Sequence, residues 1–186
     1  MSESRRLTRL VNNVLDFSRL EQGKKKYHFE TVELAAFLKE IIEFHRPGIK
    51  DNNMKINLNI PGEEFVIKTD RDAMEQVILN LTDNAVKYAG TGGEISISVE
   101  PGENGVDIRI EDRGPGIPET HRNRIFEKFH RVDDSLTATK QGSGLGLSIA
   151  KRMLKDMGGD LLYTPRQGGG SSFIVRVPEK GNFPDE

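Results

Sequence analysis

Cysteine is absent from this sequence, as is tryptophan, and no long apolar run occurs anywhere in its 186 residues. Without cysteine there can be no disulfide, no thiolate metal site and no thiol nucleophile, a usage that fits a reducing compartment. Apolar runs of only a handful of residues exclude a bilayer-spanning helix and a secretory signal, so the chain is not expected to be membrane-inserted. An excess of positive charge is missing too. A net charge of −2 and an isoelectric point near 6.1 argue against a nucleic-acid partner, because a phosphate backbone is held by basic residues. What is present, at 35% hydrophobic and 30% charged residues, suffices for one sizeable core with something appended. Nineteen glycines exceed average usage, and many fall in three tight clusters.

Residues 72–88 form the most periodic stretch. Ala73, Val77, Ile78, Leu81 and Ala85 recur at spacings of three and four, which predicts a helix with one buried face. Asn80, Asn84 and Lys87 fall at i, i+4 and i+7 and share another side of it. Asparagine has weak helix propensity, so two of them in line make an unusual surface. Both residue types suit a polyphosphate: a carboxamide oxygen can ligate a hard cation such as Mg²⁺, and an ammonium can meet a phosphate.

The remaining elements alternate as in an α/β domain. Residues 27–32 read as a short strand, and residues 33–44 as a helix closed by Pro47-Gly48. Ile56, Leu58 and Ile60 mark a strand, with residues 65–69 as its return in a hairpin, and Asp70 is placed to cap the asparagine helix. Strands follow at 94–100 and 106–111, then a helix at 119–129, a loop at 131–142, a helix at 145–157, and strands at 160–163 and 172–177. Hairpin-joined strand pairs predict an α+β fold, a two-layer α/β sandwich with a mixed sheet and segregated helices.

The glycine clusters punctuate this order. Asp112-Arg113-Gly114-Pro115-Gly116 follows directly on a strand, fixing a carboxylate beside backbone that can turn sharply. Such a carboxylate accepts a hydrogen bond from an exocyclic amine such as that of adenine and repels the carbonyl oxygen of guanine. The same residues also make an ordinary turn. Gly142-Ser143-Gly144-Leu145-Gly146-Leu147 opens a helix, where free amides and the helix dipole favour phosphate. It matches neither the dinucleotide fingerprint nor a P-loop. Gly168-Gly169-Gly170-Ser171 precedes the last strand and equally suits a plain hairpin loop.

Taken in order, these pieces resemble the catalytic, ATP-binding domain of sensor histidine kinases, within the superfamily that includes gyrase and Hsp90-type ATPases. The resemblance covers residues 32–178. Residues 80–88 are similar to the family's N box, 112–116 to its first glycine box, Phe126-Glu127-Lys128-Phe129 to its F box, 142–146 to its second glycine box and 168–173 to a third. It implies a Bergerat-type fold: a mixed, mainly antiparallel sheet of five or slightly more strands, three main helices on one face, and ATP or ADP between the asparagine helix and a lid at 131–143. By the same resemblance Asn84 is the Mg²⁺ ligand with Asn80 beside it, Lys87 meets phosphate, Tyr88 packs on adenine and Asp112 reads its amino group. Gly114, Gly116, Ile117, Phe129, Lys140, Gly142, Gly144, Leu145, Gly146, Leu147 and Ser171 complete the expected nucleotide site, with Arg131 and Lys140 steadying the phosphoryl group. Arg122 and Arg124 are expected to be surface charges.

Hydrolysing members of the superfamily carry a glutamate one turn before the Mg²⁺-binding asparagine, where it can activate water. Here that position is Asn80, which implies a protein histidine kinase of two-component signalling that hands the γ-phosphoryl group to another nucleophile. The family's acceptor box is not found around His28, His45, His121 or His130. The N-terminal stripe of Leu7, Leu10, Val11, Val14, Leu15, Phe17, Ser18 and Leu20 predicts an amphipathic helix. That helix either packs back on its own domain or is half of a dimerising hairpin; the latter is preferred, as the hairpin's second helix. The implied organisation is residues 1–23 as a partial dimerisation and phosphoacceptor hairpin, 24–31 as a linker, 32–180 as the catalytic domain and 181–186 as a frayed tail. The implied partners are the phosphoacceptor hairpin within a homodimer and a response-regulator receiver domain. The implied location is cytoplasmic, either free or as the cytoplasmic part of a membrane-anchored sensor. An anti-sigma-factor-type serine kinase and a non-catalytic ATP-binding module are the alternatives.

Overall fold

The computed structural model describes residue 18 and residues 20–50, 54–62, 65–89, 93–132 and 143–178. The chain runs β1 (Phe29–Glu33), α1 (Leu34–Lys50), β2 (Lys55–Asn59), β3 (Val66–Asp70), α2 (Arg71–Tyr88), β4 (Glu94–Gly102), β5 (Gly105–Asp112), α3 (Glu119–Arg122), α4 (Gly146–Asp156), β6 (Asp160–Pro165) and β7 (Ser171–Pro178). Five strands form one sheet in the order β2-β4-β5-β7-β6, antiparallel except for the parallel β2–β4 pair. Its two hairpins, β4–β5 and β6–β7, match the expected alternation. Along β4, Ile95, Ile97 and Val99 are buried between half-exposed Ser96 and Ser98, so one face of the strand is core.

The expected pairing of β2 with β3 does not occur. β3 pairs antiparallel with β1 in a separate two-stranded sheet, with Val32 opposite Ile67, while β2 joins β4. Strand periodicity fixes which face is apolar but not which neighbour supplies the hydrogen bonds, and these short strands satisfied either choice. The helix predicted at 119–129 is also shorter: α3 ends at Arg122, and turns carry the chain to Phe129, whose φ of 60° no helix contains. At the other end α1 runs through Pro47 and Gly48 to Lys50. Inside a helix a proline removes one hydrogen bond and its ring crowds the carbonyl four residues back, so α1 passes through Pro47 at a cost.

The helix that bears the asparagines is held most firmly. Its buried face is Ala73, Met74, Val77, Ile78, Leu81, Thr82 and Ala85, and each large aliphatic side chain there contributes about 1.5–3 kcal/mol by leaving water. Asp70 caps it, one carboxylate oxygen accepting the Ala73 N–H at 2.8 Å and the other the His28 N–H at 2.7 Å. One side chain therefore starts α2 and also ties down the segment leading into β1. Helix α4 buries Ile149, Ala150, Met153 and Leu154 and packs on α2, so that its N-terminus lies beside the asparagine face. Before β1, Leu20 is buried in the core and Glu21 pairs with Lys128 at 2.7 Å. Residues 1–17 and 19 lie outside the described residues.

Candidate functional site

Helix α2 presents its functional face along two turns, from Asn80 to Tyr88, about 12 Å of axis. Other segments close on each end. At the Tyr88 end stands the first glycine cluster. Gly114 lies so near that a Cβ there would meet the Tyr88 carbonyl oxygen at 2.6 Å and the Ala89 Cα at 3.0 Å. Only a residue without a side chain brings the backbone after β5 that close to the helix.

Asp112, the last residue of β5, is 4% exposed. Its Oδ1 accepts the Gly114 N–H at 2.7 Å and the Ser171 N–H at 3.3 Å, the bonds that an Asp before a glycine turn is placed to make. Burial pushes its carboxyl above the ordinary aspartate value, opposed by those amides, the Ser171 side chain and the charge of Arg166. The third glycine cluster supplies the wall behind it: Gly170, with φ of 106°, is so placed that any Cβ would land on the Asp112 carbonyl oxygen. Gly116 has φ of 73° and faces the Gly170 carbonyl. Ile117 is positioned by its N–H, which donates to Tyr163 Oη at 3.2 Å.

At the Asn80 end the second glycine cluster meets the F-box segment. Gly144, with φ of 70°, sits where a Cβ would meet Phe129 backbone at 2.8 Å and the His130 carbonyl oxygen at 3.0 Å, and its own carbonyl accepts the Phe129 N–H at 3.1 Å. Leu145 is 1% exposed and belongs to the core, so its side chain anchors the start of α4. Gly146 opens α4 directly over Asn80: a Cβ there would lie 3.6 Å from Asn80 Oδ1. Half-buried Leu147 packs against the core. Phe129 stands 64% exposed.

Asn80 itself is unusual. Its Nδ2 is buried and, among the described residues, has no hydrogen-bond partner. Burying such a group costs free energy unless something binds it, and rotating the amide by half a turn would put the oxygen in the same place. This is the position and chemistry that a hard cation with its phosphate would use, and half-buried Asn84 is one helical turn on. The residues therefore fit the Mg²⁺ and triphosphate that the resemblance implies. Lys87 does not extend freely toward that space: its Nζ donates to Tyr88 Oη at 2.7 Å and lies 4.5 Å from the ring centroid. The expected phosphate cation is thus folded onto the expected adenine-packing ring. Arg131, directly after His130, is half-exposed. Lys140, Gly142 and most of the expected lid lie outside the described residues.

Several contributors escaped the sequence reading. Gly170 was legible only as one of three adjacent glycines, and nothing local tied it to Asp112, 58 positions earlier in the sequence. Tyr163, read as a strand residue, acts through its hydroxyl on Ile117. Lys151, on α4, places its Nζ 4.4 Å from the ring centroid of Phe126 in the F box.

Known proteins share this fold. Residues 69–181 match the family described as histidine kinase-, DNA gyrase B-, and HSP90-like ATPase. The chain is 35% identical over 185 residues to the hybrid signal transduction histidine kinase D of Dictyostelium discoideum, an alignment covering 97% of this chain and 12% of that protein. Among solved structures, full-length ShkA in complex with AMPPNP is 28% identical, with a TM-score of 0.81 over 96% of this chain and 37% of that one. The histidine kinase ThkA in complex with the response regulator TrrA is 26% identical, with a TM-score of 0.75 over 95% of this chain and 49% of that one. The chain spans 12% and 30% of the first curated relatives it matches.

Proposed function

This chain belongs to the histidine kinase-, DNA gyrase B- and HSP90-like ATPase family, and from that premise we propose that it binds ATP with Mg²⁺ and passes the γ-phosphoryl group to a histidine instead of to water. The observation that carries this reading is Asn80. It stands where the resemblance puts a general base in hydrolysing members, and its amide lies beside Gly146 with a buried Nδ2 that has no partner among the described residues. An amide takes no proton at neutral pH, so water entering here would go unactivated.

The other residues divide the work. Asn84 and Asn80 would hold Mg²⁺ through their side-chain oxygens; when bound, the ion neutralises charge on the triphosphate. Lys87 and Arg131, joined by Lys140, offer cationic donors to phosphate oxygens. Tyr88 and Ile117 flank the base, and Asp112 accepts from its exocyclic amine. Gly114, Gly116, Gly142, Gly144, Gly146 and Ser171 let backbone approach the nucleotide, with Leu145, Leu147 and Phe129 anchoring the segments that carry them. Residues 32–180 would constitute the catalytic unit, with residues 24–31 as a linker that β1 and the buried Leu20 tie back onto it; residues 1–23 would be the second helix of a dimerisation hairpin and residues 181–186 a tail. The acceptor histidine lies on that hairpin within a cytoplasmic homodimer, and a response-regulator aspartate receives the group next. The likeness to ThkA, solved with a response regulator, supports this last partner.

The test is phosphotransfer in trans. With labelled ATP, Mg²⁺ and a helical hairpin bearing the acceptor histidine, the chain should label the hairpin with acid-labile phosphate and release inorganic phosphate slowly. Asn84→Ala should abolish that labelling. Fast phosphate release with an unlabelled hairpin would instead make the chain a hydrolase.

A further inference from the structure

His121 and His130 form a pair that the proposed chemistry does not use. His121 Nδ1 lies 3.1 Å from His130 Nε2, with ring centroids 5.3 Å apart and planes tilted by 35°. Both side chains are half-buried, and each is fixed by a different stretch of backbone. His121 sits in α3, its N–H bonded to the Pro118 carbonyl and its carbonyl to the Arg124 N–H, each at 2.9 Å. His130 follows Phe129, the one non-glycine residue among the described residues with positive φ, and the Phe129 N–H is bonded to the Gly144 carbonyl. The two rings are thus held nitrogen to nitrogen by separate backbone contacts.

We infer that His121 and His130 form a two-imidazole binding site for a borderline divalent cation such as Zn²⁺ or Cu²⁺, separate from the Mg²⁺ proposed at Asn80 and Asn84. Two nitrogens on one tetrahedral Zn²⁺, each at 2.0–2.1 Å, stand about 3.3 Å apart, close to the spacing already present. In the unliganded pair one ring N–H donates to the other ring. Binding requires that donor to carry its proton on its outer nitrogen instead, so a neutral pair loses no proton overall, and small ring rotations turn both lone pairs onto the metal. Imidazole suits Zn²⁺ and Cu²⁺, while Mg²⁺ keeps to oxygen, so excess Mg²⁺ does not compete for the histidine pair. Among the described residues no group of three or more His, Asp or Glu side chains is placed to hold a metal. Water therefore completes the shell, and the affinity is that of a two-ligand chelate, below that of a closed four-ligand zinc site.

Calorimetric titration of the whole chain with ZnCl₂, without nucleotide and in excess Mg²⁺, should show one equivalent bound. The affinity should fall about tenfold or more in both His121→Ala and His130→Ala and stay unchanged in His28→Ala and His45→Ala. A second measurement needs no variant: substoichiometric Cu²⁺, being paramagnetic, should broaden the imidazole resonances of His121 and His130 before those of His28 and His45. Binding that survives both pair substitutions, competition by Mg²⁺, or earlier broadening of His28 or His45 would overturn the site.

Discussion

The two ends of the site are built to different standards. Around Asp112 the contacts are already made: Oδ1 of the carboxylate holds two backbone amides, Gly114 presses on Tyr88, and Gly170 presses on Asp112. Around Asn80 the packing is close as well, with Gly146 overhead and Gly144 against Phe129, yet a buried amide end has no hydrogen-bond partner among the described residues. The first end needs nothing further to keep its shape, as a selector of the base must. The second carries an unmet polar group that a ligand would satisfy, so its resting state stores part of the free energy of binding. Folding completes the adenine end, and the phosphate end waits for its occupant.

The largest effect is expected from breaking the completed end. Gly170→Ala places a methyl group on the carbonyl oxygen of Asp112 and near the Arg113 Cα, both backbone atoms that cannot swing aside, at a φ of 106° that L-residues rarely adopt. The substitution should destabilise the fold by about 3 kcal/mol or more, read from urea unfolding. Gly168→Ala, two residues earlier, meets no atom within 4 Å and should cost less, since only its φ of 84° opposes it. Equal losses at the two positions would mean that backbone conformation, and not contact with Asp112, sets the requirement.

Asp112→Asn tests the same end chemically. An amide presents a donor as well as an acceptor, so adenine nucleotide binding should weaken by roughly 1–3 kcal/mol and the preference over guanine should shrink, both measurable by calorimetry. Stability should move the other way. The carboxyl of Asp112 is raised by burial, so the folded state holds its proton more tightly than the unfolded one. Its contribution to stability is present in acid, below the unfolded pKa, and is lost as pH rises through the raised folded value. The variant should therefore gain on the parent at neutral pH, with the gap closing as pH falls into the carboxylate range. A gap that widened in acid would show that the amide bonds outweigh burial.

Much of this arrangement was legible because local chemistry announces it. Asp70 before a 3.6-period run of apolar residues is a cap wherever it occurs, and β4, β5 and α4 declare themselves by period alone. Partnership between distant segments was not legible. Phe65 to Thr69 looked like the return of a hairpin from β2, but β3 found β1, because two short alternating strands carry no record of which edge they will meet. The end of α3 at Arg122 was hidden for a related reason: Phe126 and Ile125 continue an apolar rhythm, while the left-handed Phe129 is imposed by its contact with Gly144. The site followed the same division. Residue types within one box pointed to their chemistry, whereas Gly170 behind Asp112, Tyr163 on Ile117 and the unsatisfied end of Asn80 exist only once the boxes converge.

The smallest expected effect separates the two ends most sharply. Asn80→Leu replaces a half-buried amide by an apolar side chain of similar size and better helix propensity. Were Asn80 a structural residue like Asp112, losing its polar atoms would destabilise the protein. Because its Nδ2 has no partner among the described residues, removing it relieves an unsatisfied buried donor, and stability without ligand should rise by about 1 kcal/mol in urea unfolding. Binding should respond oppositely: Mg²⁺-dependent tightening of ATP affinity should fall, since one of the two proposed oxygen ligands is gone, while Mg²⁺-free affinity through Asp112 should hold. A variant that lost stability would show that Asn80 is already satisfied, and the contrast between a completed and a waiting end would collapse. A variant that gained stability and kept its Mg²⁺ dependence would leave the waiting group unexplained by the cation, and would transfer the metal role to Asn84 alone.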